Sequence, residues 1–121
     1  MRNNLEDVKM YRPRIQSGLF LGMVEWVPAD NAVIDEDSPV WHILDPAGAI
    51  DLLMPESTPA RRGLAFLLTN ISANTITVKS SGDAAFTTAI SLATMESAWV
   101  VCTGHATAGL GWRATATAAS T

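Results

Sequence analysis

The sequence predicts an all-β domain, an antiparallel, jelly-roll-like β-sandwich of about eight strands. Three observations predict it. The second half of the chain alternates apolar and polar residues with a period of two. Clusters of Gly, Asn, Ser and Asp interrupt that alternation at intervals of roughly ten to thirteen residues. Helical periodicity is confined to one short stretch, Leu5–Met10, with Asn3 or Asn4 as its N-cap.

The elements follow in order. Residues 1–17 form a short extended arm, 18–113 the sandwich and 114–121 a flexible tail of Ala, Thr and Ser. Gly18–Val27 is long enough for one strand, bent at Gly22. Val40–Leu44 is a second strand. The turn Asp45-Pro46-Ala47-Gly48 joins it to Ala49–Leu53, and the two are expected to form a hairpin. Pro55 to Gly63 is a connecting loop with two prolines. Leu64–Thr69 is a short apolar run, and Asn70–Asn74 can turn. Thr75–Lys79 alternates strictly, with Ile76 and Val78 on one face. Ser80–Asp83 turns again, and Phe86, Thr88, Ile90 and Leu92 form the next alternating set. Thr94–Ser97 leads into the apolar run Ala98–Cys102. Gly104 and Gly109 bracket a loop before a last strand that starts at Leu110.

Composition narrows the function. At 121 residues the chain accommodates one core. Charged residues make up 17%, below the usual quarter or so. A surface so poor in charge either meets a partner or carries a neutral Thr/Ser/Ala face. The net charge is −4, and no Lys or Arg lies between Glu25 and Glu56. Phosphate contacts need a cationic face, so no nucleic-acid partner is expected. Arg2, Lys9, Arg12 and Arg14 cluster in the arm, interleaved with Glu6 and Asp7. The stretch MRNNLEDVKM has no apolar core of the secretory kind, and no run approaches the length of a membrane span. No membrane association is expected, and synthesis is expected in a cytoplasm.

The residues that carry chemistry are sparse. No catalytic, cofactor-binding or metal-binding residues are assigned, and no cofactor is expected. His42 and His105 are the two histidines, and neither belongs to an HxH or HxxxH pair. His42 reads as a strand histidine on the polar face rather than a general base paired with Asp45 or Asp51. His105 reads as an exposed loop residue. Cys102, the single cysteine, reads as a small buried hydrophobe. Asp35-Glu36-Asp37 lacks the spacing of an EF-hand and reads as a solvated acidic loop. Gly104 to Gly111 lacks the lysine of a phosphate loop. Four tryptophans are many for this length. Most are expected in the core, with Trp26 and Trp112 as the candidates for a subunit interface. A sugar-stacking platform is the other use for them.

Several pieces together resemble a known group. They are Trp41-His42-Ile43-Leu44-Asp45-Pro46-Ala47-Gly48, Leu53-Met54-Pro55, Arg62-Gly63-Leu64-Ala65-Phe66 with Asn70, and Thr75-Ile76-Thr77-Val78. To these are added Leu92-Ala93 with Glu96, Val101-Cys102 with Gly104, and Trp112. Residues 40 to 112 resemble small β modules of tailed-bacteriophage virions, among them head decoration (cement) proteins. The resemblance implies a structural protein on the capsid surface of a virion that clamps neighbouring subunits of the major capsid protein. It would assemble as a homodimer or homotrimer. Tyr11, Arg12 and Arg14 of the arm are then the expected capsid anchors, with Trp26 and Trp112 as further contacts. A tail-fibre or baseplate receptor-binding module, or a carbohydrate-binding module, is the alternative.

Overall fold

The computed structural model describes residues 22–115 and 118–119. Ten strands lie among them: β1 (Met23–Trp26), β2 (Ala32–Val33), β3 (Trp41–Leu44), β4 (Ile50–Leu53), β5 (Ala65–Asn70), β6 (Ile76–Lys79), β7 (Ala85–Leu92), β8 (Glu96–Cys102), β9 (Trp112–Ala114) and β10 (Ala118–Ala119). They form two mixed sheets. One runs β1-β3-β5-β8, with β9 and β10 sharing the far edge of β8; the other runs β2-β4-β6-β7.

The expected all-β class holds, but the antiparallel arrangement does not. β1, β3 and β5 pair in parallel, and so do β2, β4 and β6. The chain winds: each turn lays one strand in each sheet, beside the strand of the turn before. Three turns run this way. The tight connection Ser80–Ala84 then sends β7 back antiparallel to β6, and β8 follows antiparallel to β5. The turns differ in length. Met23 sits beside Trp41 and Trp41 beside Leu67, a shorter step followed by a longer one. No sequence repeat therefore marks the winding.

The expected hairpin of residues 40–53 is corrected for the same reason. Asp45–Ala49 carries the chain across the core from β3 to β4, which lie in different sheets. Pro46 and Gly48 favour a change of direction, and that preference serves an arch as well as a hairpin. The expected set Phe86, Thr88, Ile90, Leu92 also changes. Phe86, Ile90 and Leu92 are buried, but Thr88 is exposed, because the β6–β7 register breaks between Val78 and Lys79. Residues 114 and 118–119, expected in a tail, return along β8 as parts of β9 and β10.

One core fills the space between the sheets. Leu44, Phe66, Leu68, Ala98, Val100, Cys102 and Trp112 reach it from one side; Ile50, Leu52, Ile76, Val78, Ile90 and Leu92 reach it from the other. The strands cross it through stacked arches that Asn70 ties together. Asn70 is completely buried. Its Nδ2 donates to the carbonyls of Asn74 (2.6 Å) and Leu92 (3.0 Å). Its Oδ1 accepts from the backbone N–H of Ser72 (2.9 Å) and from the Ser72 hydroxyl (2.8 Å). Asn74 Nδ2 donates in turn to Pro46 O (3.0 Å), so the arch after β5 is fastened to the arch after β3. A buried amide with all of its capacity used is stable in place.

Candidate functional site

The tryptophans sort the two faces of the six-stranded sheet. Trp26 and Trp112, the expected partner contacts, both face inward. Trp112 is 1% exposed and its Nε1 donates to Pro55 O at 2.9 Å. Trp26 is half-buried and donates to His42 Nδ1 at 3.0 Å. With His42 and Phe66 they make an aromatic row through the core, Trp26–His42–Phe66–Trp112, with ring centres 5.9, 5.7 and 6.2 Å apart. Trp112 has no surface to offer a partner and is corrected to a core residue. Tyr11, Arg12 and Arg14 lie outside the described residues.

His42 is also corrected, from the polar face to the interior. Its Nε2 lies 2.9 Å from Ser38 Oγ, which is the geometry of a base and a nucleophile. The proton positions argue against that use. An indole N–H only donates, so Nδ1 accepts from Trp26 and carries no proton. The proton of the neutral ring then sits on Nε2 and is donated to Ser38 Oγ. Ser38 donates onward to Asp35 O at 2.6 Å. Nε2 therefore has no lone pair free to take the serine proton. Burial favours this neutral form and pushes the His42 pKa below its ordinary 6.5, against the weaker opposing effect of a hydrogen bond with the Pro39 backbone.

The other sequence candidates remain dispersed. His105 is exposed and Cys102 is buried beside Ser57 Oγ at 3.4 Å. Glu36 pairs with Arg61, and Asp35 accepts from the Asp37 backbone N–H at 3.0 Å. Among the described residues no three His, Cys, Asp or Glu side chains gather as a metal set. A recess of about 200 Å³ between Pro55–Ser57 and Ser80–Gly82 has Glu56 as the only titratable group among the described residues that line it.

The outer faces of the two sheets differ sharply. On the four-stranded sheet the outer face is mostly polar: Asp51, Thr77, Lys79 and Ser91, with Val33 and Leu53 as apolar exceptions towards the β2 edge and Lys79 Nζ 3.0 Å from Asp51 and 3.7 Å from Asp83. On the six-stranded sheet it is apolar. Met23, Trp41, Leu67 and Trp99 stand side by side on four adjacent strands. Ile43 lies on one side of that row; Ala65 and Val101 lie on the other. Met23 is 56% exposed, Trp99 43% and Val101 36%. The polar groups within this face are paired with one another. Trp41 Nε1 donates to Thr69 Oγ1 at 3.0 Å, and Thr69 shares a second bond with Ser97 Oγ at 2.8 Å. Water can leave this face without stranding them.

The sequence carried a signal for this surface. Leu64–Leu68 and Ala98–Cys102 are continuous apolar runs, and Trp41–Leu44 is one but for His42, whereas Ile76–Lys79 alternates. A continuous run means a strand that is apolar on both faces. The three runs become β3, β5 and β8, the adjacent middle strands of one sheet. What the sequence could not show is that they are neighbours.

Comparison with family models, with curated proteins and with solved structures finds no match for this chain. The class that fold and surface define is an all-β domain of two mixed sheets with one apolar outer face.

Proposed function

We propose that the chain is a structural virion protein that acts by binding other proteins, on the outside of an assembled phage capsid, where it cements neighbouring major capsid subunits. The observation that supports a protein-binding role is the apolar outer face of the six-stranded sheet. Contiguous apolar surface rimmed by polar groups is what protein partners cover. The placement on a capsid comes from the resemblance of residues 40–112 to virion modules. Anchoring by Tyr11, Arg12 and Arg14 fits that role, since Tyr and Arg are frequent interface anchors. A protein that binds only the assembled lattice stabilises it by mass action.

The test is co-sedimentation with assembled shells, and separately with unassembled subunits, of the major capsid protein that this proposal assigns as its partner. Saturable binding to shells alone is the expected result. Removing residues 1–14 should abolish that binding while the far-ultraviolet circular dichroism of the β domain stays the same. Equal binding to free subunits, or full occupancy without the arm, overturns the reading. Retention on a glycan panel instead would favour a carbohydrate-binding module built on Trp99.

A further inference from the structure

We propose that the apolar outer face of the six-stranded sheet is covered by a second copy of this chain, packed face to face about a two-fold axis. This rests on the reading above only in taking the face as a protein-binding one; it does not depend on the capsid.

The charges at the corners of the face select this occupant. Glu25 on β1 lies level with Ile43, Thr69 and Ser97. Arg113 on β9 lies level with Val101 and Ala65, on the other side of the Met23–Trp41–Leu67–Trp99 row. Glu25 and Arg113 thus stand at diagonally opposite corners, one at each edge of the sheet, with uncharged strand residues between them. Both are exposed, and no ion pair joins either to another described residue.

An isologous interface requires that a surface complement itself. A two-fold axis lying in the face and running across this diagonal carries each corner onto the other. Glu25 of one copy then meets Arg113 of its mate, twice, while the two apolar rows cross over each other at the centre of the face. Rim ion pairs of this kind set orientation more than affinity. A capsid or receptor surface would need no such antisymmetry.

Size sets the expected strength. Five strand positions about 4.8 Å apart and three residue levels about 7 Å apart span roughly 500 Å². Standard interfaces bury about 800 Å² on each partner. The face therefore supports a dimer that dissociates on dilution.

Sedimentation of the full chain over a wide concentration range tests this. The expected result is a reversible monomer–dimer equilibrium. Trp99→Lys should weaken it at least tenfold with the thermal unfolding midpoint little changed, because Trp99 is already exposed. Glu25→Arg alone and Arg113→Glu alone should each weaken association, and the double variant should restore it. A monomer at every concentration overturns the proposal, whether residues 1–21 or a foreign protein then covers the face. So does a trimer, or a dimer indifferent to Trp99→Lys and to both charge reversals. Shell binding is scored separately: a dimer that ignores shells sinks the capsid reading alone, and a monomer that binds them sinks this proposal alone.

Discussion

Asn70 joins the ends of three connections: the arch after β3 through Asn74, its own arch through Ser72, and the end of β7 through Leu92 O. Asn70→Ala would leave Leu92 O and the Ser72 N–H buried without their side-chain partner. The expected loss is about 2–4 kcal/mol, read from urea unfolding of the variant against the parent chain. His42 gives a pH dependence of known sign. Its folded pKa is depressed, so below about 6.5 the unfolded chain binds a proton that the folded chain refuses. Stability is full above that value and falls as the pH drops through it towards the folded pKa. His42→Gln should flatten this part of the stability–pH profile. An undiminished slope between pH 7 and 5 in that variant would show that another group is responsible. Neither role was legible in the sequence. Asn70 looked like a turn residue and His42 a surface one, since local pattern does not reveal which residues cover a position.

At the scale of elements, the connection Asp45–Ala49 decides between two folds of the same segment. As a hairpin it would place β3 and β4 side by side; as an arch it sets them across the core, where Leu44 and Leu52 are both fully buried. Replacing Asp45–Ala49 by a two-residue Asn-Gly turn, which favours a hairpin, should therefore destabilise the protein. Loss of a cooperative unfolding transition is the expected readout, and an unchanged midpoint would contradict the arch. Phe66 belongs to this scale as well, because it lies between His42 and Trp112 and bridges β3 to β9. Phe66→Ala should cost about 3–5 kcal/mol in denaturant unfolding.

For the whole molecule, winding makes most strand pairing non-local. β3 must find β5, and β4 must find β6, across intervening strands of the other sheet. Loop closure precedes each of those contacts, so folding should be slow, on the order of milliseconds to seconds or longer. Stopped-flow tryptophan fluorescence would measure it, and microsecond folding would be incompatible with this topology. The winding also gathers the three doubly apolar strands into one sheet. One outer face is thereby apolar at its centre and the other mostly polar, and that difference organises the binding proposals above.

The sequence by itself determined the β class, the positions of most strands, the burial of Cys102 and the exposure of His105. These depend on period-two alternation and turn residues, which are local. It also held the three apolar runs. Only the tertiary structure decided that the strands pair in parallel, that Trp112 is core while Trp99 is surface, and that the three runs lie together. Arches and hairpins use the same turn residues, and a strand apolar on both faces gives no parity by which to orient it. Pairing partners distant in the chain settle both matters, through the burial that each arrangement achieves.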